Sequence, residues 1–382
     1  MIKISVFLLL IFSLSSCKLN KEIIKNNQTS YWEISTLEKE GINALTIDSI
    51  NQEIKKGIYG SVDHFLLLRN GKIVFDQHYT QNYDSTKSET VNPQYNYDNT
   101  AFHPYLNKTD LHTLQSITKS ITSILFGIAV DEGYIKDING SFSSYFKDYQ
   151  IDTISNLKNK ISLEHLLTMQ SGIKWNEEKF DLLENNCLQM EASKDWIQYV
   201  LDQPIDTIPG ISFNYNSGVS ILLGKIIKEA TGKEINVWAE EKLFNPLGIS
   251  NYYWKKTPKG EFDTEGGLYL NIYDLAKIGY LMMNNGKWEN TQIVSQKWVE
   301  KSTKPIINVT EKLGYGYQWW IPKHSNQKTN IFAGNGYGDQ FVMVAPDYKI
   351  IAIFFGWNHQ DHSKKSTWRI LEKRILPTTI LK

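Results

Sequence analysis

The sequence predicts an α+β protein in which both ends of the chain build one antiparallel β-sheet, flanked by helices, with a mostly helical subdomain inserted between them. Three observations carry this expectation: a hairpin signal opens the body, two strand-like apolar runs close it, and the periodicity between them is helical.

The hairpin reads His64-Phe-Leu-Leu-Leu-Arg69, then Asn70-Gly71, then Lys72-Ile-Val-Phe-Asp76. Asn-Gly tolerates the positive φ angles of a tight two-residue turn, so a strand is expected on each side. Residues 79–110 are polar and carry Pro93 and Pro104, which suggests an irregular surface excursion; loops of this length are often functional. At Ser116 the period becomes helical, with Ile121, Ile124, Leu125 and Ile128 on one stripe and Gly133 as the stop. Further helices are expected over residues 161–169, 219–230, 272–284 and 294–302; the second has Leu222, Leu223, Ile226 and Ile227 on its apolar face and ends at Gly232. Strand signals return at residues 315–321, 340–345 and, after a Pro346-Asp347 turn, 350–355. An amphipathic helix over residues 368–376 finishes the body. The body is thus expected at residues 51–380, its helical subdomain at roughly 111–305, and an active site at the seam between the two parts.

With 382 residues, 41% of them hydrophobic, the chain can bury a large core. Its 41 Lys and Arg balance 41 Asp and Glu, and without a basic excess no nucleic-acid partner is expected. Aromatic residues make up 13%, which serves core packing and an aromatic-lined cleft equally well. The first 17 residues read as a leader: Lys3, an apolar run over residues 4–14 too short to span a bilayer, and Leu14-Ser15-Ser16-Cys17. That ending resembles the lipobox of bacterial lipoproteins. On this reading Cys17 is acylated, residues 18–50 form a tether and lead-in, and the body faces the periplasm on a lipid anchor. An ordinary secretory leader is the alternative. Cys17 and Cys187 are the only cysteines, so a lipidated Cys17 leaves no intrachain disulfide.

Ser-x-x-Lys occurs at Ser15, Ser116, Ser144, Ser155, Ser171 and Ser325, so the spacing alone means little. Ser116-Ile-Thr-Lys119 stands out by its setting, where a polar segment turns into an apolar helix. The first turn of that helix offers free N–H groups and the positive end of its dipole to an oxyanion. Its apolar body can strip water from the Lys119 amine, three residues along the same face. At an ordinary pKa of ~10.4 only about four lysines in ten thousand are neutral at pH 7, so a basic Lys119 calls for a downward shift of roughly 3 units. Two later features fit. Pro209-Gly-Ile-Ser-Phe-Asn-Tyr215-Asn-Ser217 places two hydroxyls on a loop before an apolar helix, where Tyr215 can shuttle a proton and Ser217 can bond the amine. Gly334-Asn335-Gly336-Tyr337-Gly338 lets backbone N–H groups approach a ligand beside what reads as an edge strand.

Several spaced segments then match a known family in order. They include His112-Thr-Leu-Gln-Ser116-Ile-Thr-Lys-Ser120, Leu163-Glu-His-Leu-Leu-Thr-Met-Gln-Ser-Gly172, Asn245-Pro-Leu-Gly248, Gly266-Gly-Leu268 and Tyr315-Gly-Tyr-Gln-Trp-Trp320. Over about residues 68–357 the chain resembles the serine β-lactamase and penicillin-recognising hydrolases, in their class C and esterase-like branch, and most of all the 6-aminohexanoate-oligomer hydrolases. The resemblance implies a serine β-lactamase-like fold and an acyl-enzyme on Ser116. It also implies Lys119 as base, Tyr215 as shuttle, Ser217 at the third place of a Tyr-x-Asn or Tyr-x-Ser motif, and an oxyanion hole of the Ser116 and Tyr337 N–H groups. Penicillin-binding members usually carry Asn where this chain has Ser217, and Lys or His where it has Gly334. Without that cation, β-lactam or stem-peptide turnover is disfavoured against ester or amide hydrolysis.

No cofactor or metal is called for. His359-Gln-Asp-His362 lacks a third ligand site, and His165 reads as a structural histidine. Trp175 and Trp254 can each line the cleft or pack the core, and with Gly334, Asn335 and Gly336 they are the candidate substrate-binding residues. The substrate is expected to be a small or peptide-like acyl compound. A non-catalytic sensor of the same fold, or a β-lactamase or D-Ala-D-Ala carboxypeptidase, stays open beside the hydrolase reading.

Overall fold

The computed structural model describes residues 31–79, 110–151, 157–178, 183–323, 330–359 and 364–380. The leader with Cys17, the first part of the tether and nearly all of the polar 79–110 stretch lie outside these residues. The chain begins with β1 (Glu33–Ile34), α1 (Ala44–Lys55), β2 (Val62–Arg69) and β3 (Lys72–His78). The inserted region follows: β4 (His112–Thr113), α2 (Ile117–Asp131), α3 (Leu163–Leu167), α4 (Asn186–Ala192), α5 (Trp196–Asp202), α6 (Ser217–Thr231), α7 (Ile235–Ala239), β5 (Tyr253–Trp254), β6 (Leu268–Leu270), α8 (Ile272–Met283), β7 (Lys287–Trp288), β8 (Thr291–Gln292) and α9 (Gln296–Ser302). The closing strands are β9 (Ile307–Thr310), β10 (Leu313–Tyr315), β11 (Trp320–Pro322), β12 (Phe332–Gly336), β13 (Gln340–Ala345) and β14 (Ile350–Gly356).

The two ends do build one sheet, of nine strands in the order β1-β3-β2-β14-β13-β12-β11-β10-β9. All neighbours are antiparallel except β1 on β3. Asn70 and Gly71 take φ of 54° and 75°, as the hairpin turn requires. The ends join at β2 and β14, registered from Arg69 opposite Ile350 to Val62 opposite Gly356.

Alternation along the strands divides the core. Leu66, Leu68, Val342, Val344, Ile351 and Ile353 face the helices of the inserted region, α2 and α8 foremost. Phe65, Leu67, Phe341, Met343, Ala352 and Phe354 face the other way, against Ile47, Ile50 and Ile54 of α1 and Ile370, Leu371 and Ile375 near the C-terminus. Because β13 and β14 are covered on both faces, their sequences are continuous apolar runs rather than alternating ones.

Several expectations need correcting. The strand expected over 315–321 is two strands, β10 and β11, separated by a turn in which Gln318 has φ 61°. Buried Gln318 is spent on joining that turn to the helices: its side-chain amide donates to the Leu166 and Leu167 carbonyls, and its carbonyl oxygens accept from the Ser120 and Ser220 hydroxyls. The glycine-rich segment is not an approach to an edge strand, because β12 is itself a strand and lies, with β13, inside the sheet. The lead-in carries β1 and α1, and α1 runs across the expected boundary at residue 51. The C-terminal helix is short 3-10 and π turns instead of a regular α-helix.

Two glycines explain how β12 lies so close to the chain entering α2. A Cβ on Gly336 would stand 2.3 Å from the Leu114 carbonyl oxygen and 3.0 Å from the Gln115 Cβ; one on Gly334 would stand 3.2 Å from Ile117 Cγ2. Gly336→Ala is therefore expected to cost about 1–3 kcal/mol by forcing the two backbones apart. Urea unfolding measures it, and a variant as stable as the parent would contradict the close approach.

Candidate active site

Ser116 enters α2 from a strained residue: Gln115 holds φ 47°, a left-handed conformation that a non-glycine residue adopts at some cost. Ser116 occupies the N-cap of α2, yet its side chain makes no capping bond. Its Oγ instead accepts a hydrogen bond from Lys119 Nζ at 2.8 Å. Lys119 is 1% exposed, and its ammonium also donates to the backbone oxygen of Glu265 at 2.8 Å and to that residue's Oε2 at 2.9 Å. Tyr215 sits just before α6, its ring stacked on Trp320 with centroids 5.5 Å apart. Ser116 and Lys119 both favour its ionised form, and Lys119 Nζ lies 5.3 Å from its ring centroid. The structure thus brings Ser116, Lys119 and Tyr215 together as expected.

The ionisation state of the lysine departs from expectation. Burial pulls the Lys119 pKa down, but the Glu265 carboxylate, with Tyr215 and Glu177, outweighs it and holds the ammonium well above the usual lysine range. Glu265 answers in kind: burial pushes its carboxyl up, Lys119 and Lys255 pull it further down, and it stays below the ordinary value. The resting pair is an ion pair rather than a neutral amine. Tyr215 is no ready base either, because burial, opposed by Lys119, leaves its phenol raised.

Ser217 does not serve the amine. Its hydroxyl donates to Glu177 Oε2 at 2.9 Å, and its backbone N–H donates to Glu177 Oε1, at the start of α6. Trp175, expected in the cleft, donates its indole N–H to Glu177 Oε1 at 2.5 Å and is buried behind it. Trp254 is likewise buried away from the cleft and donates to the Asp263 carbonyl at 2.7 Å. Gly334 packs on Ile117 and does not line the cavity.

The loop carrying Glu265 is fixed from several sides. Asp263 Oδ1 accepts from the N–H groups of Glu265 and Gly266 at 3.1 and 2.9 Å, and Lys255 pairs with Asp263 Oδ2 at 3.3 Å. Thr122 and Ser220 tie Thr264 to α2 and α6. Beyond Glu265 lie Glu191 and Cys187 on α4. Burial, and then the Glu265 charge, push the Glu191 carboxyl far up, so Glu191 stays protonated and hydrogen-bonds Glu265. Burial also raises Asp263, Glu177 and the Cys187 thiol.

Candidate ligand atoms of Cys187, Glu191 and Glu265 lie within 4.8 Å of one another. Within that set the Glu265 carboxylate already pairs with the Lys119 ammonium at 2.9 Å. His359 is buried against the Tyr337 ring and under Gly338, and residues 360–363 lie outside the described residues. His165 closes a capping box with Ser162 at the start of α3, a structural role.

The cavity above Ser116 measures about 280 Å³; Gln115, Glu177, Tyr215, Glu265, Trp320 and Asn335 are among its walls, with Ser217 and Tyr337. Tyr337 immediately follows β12 and lines the cavity together with Ser116 at the start of α2. A second hollow of about 390 Å³ shares Trp320, Asn335 and Tyr337 and continues over Gly336 to Trp368. Glu177 and Glu265 are the site residues that sequence reasoning missed. The signal for Glu265 was its place immediately before the matched Gly266-Gly267-Leu268; nothing local distinguished Glu177.

The sequence model of the Beta-lactamase family matches residues 53–371. An N-acetylmuramyl-L-alanine amidase of Bacillus subtilis (strain 168) is 22% identical, over 81% of this chain and 80% of its own length. A 6-aminohexanoate-dimer hydrolase of Paenarthrobacter ureafaciens is 22% identical, over 70% of this chain and 71% of its own. The solved structure of a family VIII carboxylesterase shares the fold, with a TM-score of 0.62 at 16% identity, covering 90% of this chain and 98% of that one.

The buried carboxyls make stability pH-dependent. A carboxyl raised on folding keeps in the folded state a proton that the unfolded chain has released. Stability therefore falls as pH climbs above the unfolded value, which for Glu191 is 4.5. Glu265, lowered on folding, acts oppositely: its contribution is present above 4.5 and is lost in stronger acid. Glu191→Gln keeps a donor to Glu265 but cannot ionise, so it is expected to remove up to about 1.4 kcal/mol per pH unit from the decline above pH ~5. Urea unfolding at a series of pH values reads this out, and parallel curves for variant and parent would refute it.

Proposed function

The chain belongs to the beta-lactamase family, and on that premise we propose that it hydrolyses an ester or amide bond through an acyl-enzyme on Ser116. One observation carries the reading: the Ser116 Oγ, 2.8 Å from Lys119 Nζ, lines an open cavity together with Tyr215. Ser116 attacks the carbonyl, and its proton leaves through Lys119 and Tyr215 toward the leaving group. The N–H groups of Ser116 and Tyr337 receive the oxyanion. Water then releases the acyl group by the same path in reverse.

The walls favour a neutral or positively charged substrate. Among the described residues lining the cavity none is Lys, Arg or His; Glu265 is balanced by Lys119 beneath the wall, which leaves the Glu177 carboxyl as the acidic group facing a substrate. Gly334 stands where a carboxylate-binding cation would be found in penicillin-binding members, and the Trp320 and Tyr337 rings offer faces to an ammonium. The amidase and the aminohexanoate-dimer hydrolase among the relatives make amides as eligible as esters. We also read Cys17 as a lipid-bearing residue that anchors the body to a bacterial envelope, facing the periplasm; loss of radiolabelled palmitate incorporation in Cys17→Ala checks this.

A fluorophosphonate probe is expected to label the protein and to leave Ser116→Ala unlabelled; equal labelling of both would end the proposal. Among p-nitrophenyl esters matched in length, kcat/KM is expected to be at least about tenfold higher for trimethylammonium-bearing or neutral acyl chains than for carboxylate-bearing ones, the size of a modest charge effect. A preference for the carboxylate, or brisk nitrocefin hydrolysis, would contradict the reading of the walls.

A further inference from the structure

Resting on the acyl-enzyme reading above, we infer that Glu265 is the proton acceptor that makes Lys119 a base, so that the site works as a Ser116–Lys119–Glu265 relay. The inference starts from a difficulty. Lys119 is an ammonium in the resting site and cannot take the Ser116 proton until it has lost one of its own. Glu265 Oε2, 2.9 Å from Nζ, is placed to receive it. Moving that proton converts an ion pair into an amine and a carboxylic acid with no change in net charge. Burial of both groups charges its desolvation cost to the ions alone, so it narrows the preference for the ion pair without reversing it.

The protons balance at each stage. Lys119 gives one to Glu265 in the same step in which Ser116 attacks. As the Ser116 Oγ forms its bond to the carbonyl carbon, its O–H bond breaks and that proton passes to the Lys119 amine. When the tetrahedral intermediate collapses, Lys119 returns a proton to the leaving group, directly or through Tyr215, and Glu265 gives its own back to Lys119. Glu265 acts on the serine only through the lysine and touches no reacting atom.

The groups around Glu265 fit this role. Lys119 faces it from α2, Glu191 and Cys187 from α4, Lys255 from beyond β5, Asp263 from its own loop, and Tyr215 and Glu177 across the cavity. Glu191 supplies a hydrogen bond without charge. Lys255 is engaged with Asp263, and Glu177 with Ser217 and Trp175. Of the acidic groups, Glu265 has the hydrogen bond to Nζ. The Glu265 backbone oxygen holds Nζ at 2.8 Å whatever the side chain does, so the amine stays aimed at Ser116 through both transfers.

The test is the rate of fluorophosphonate labelling of Ser116 as a function of pH, in the full chain. The parent is expected to label at a rate nearly flat between pH ~6 and ~9, because the pair carries one transferable proton throughout. In Glu265→Gln the lysine must lose its proton to solvent. Labelling at pH 7 is expected to fall about 10²–10⁴-fold, the usual worth of a general base, and then to recover tenfold per pH unit on raising the pH. Glu265→Asp keeps a carboxylate and is expected to keep the flat profile at a reduced rate. A Glu265→Gln loss of equal size at every pH, or no loss, would overturn the relay and leave Glu265 a structural residue. Should the glutamine variant not fold, the solvent-isotope proton inventory of labelling in the parent decides: curvature from two protons in flight is expected, and a straight line would overturn it. Failure of the parent to label at Ser116 would instead strike the acyl-enzyme reading itself.

Discussion

Burying the Lys119 ammonium beside the nucleophile is costly, since an ion taken from water into protein loses several kcal/mol of hydration. Much around the cleft follows from meeting that cost. The Glu265 loop turns its backbone oxygen and its carboxylate onto one nitrogen. Asp263 braces the loop and Lys255 braces Asp263. Four acidic side chains, Glu177, Glu191, Asp263 and Glu265, then stand against two lysines, Lys119 and Lys255. Four carboxylates packed this closely disfavour one another's charge, and Glu191, pushed well above its ordinary value, relieves part of the excess.

The same pair depends on the seam between sheet and helices. β12 can lie against the entry to α2 because Gly334 and Gly336 present no side chain there. Tyr337, the residue after β12, lines the same cavity as Ser116. Gln318 ties the β10–β11 turn to α2 and α6 and to the last residues of α3, the elements around Lys119 and Tyr215. The nucleophile, its lysine and the tyrosine therefore sit on parts of the chain joined by buried polar bonds as well as by apolar packing, which restrains their relative positions.

The sheet from both termini was legible because its signals are local: Asn70-Gly71 fixes a hairpin, and β13 and β14 are apolar runs bounded by a Pro-Asp turn. Ser116, Lys119 and Tyr215 were legible from the setting of their motifs. What escaped was decided at long range. Glu177 and Glu265 belong to loops far from Ser116 in sequence, and an acidic residue in a loop carries no local mark of burial. The charge state of Lys119 was misjudged for the same reason: reading desolvation from one apolar helix leaves out a carboxylate that arrives from another part of the chain. Ser217 was assigned to the amine because spacing brings it near, whereas the N–H and hydroxyl at the start of α6 together suit a carboxylate better. Trp175 and Trp254 illustrate that an indole serves the layer behind a cleft as readily as its wall.

The pairing of β2 with β14 has a consequence for how the protein is made. A ribosome delivers β2 long before β14, and until β14 emerges the flank of β2 that pairs with it has no permanent neighbour. Such long-separated partners meet slowly, and the interval leaves a sticky strand edge available to other chains. A newly made copy that stalls or is clipped before residue 350 would thus lose the middle of its sheet along with its tail.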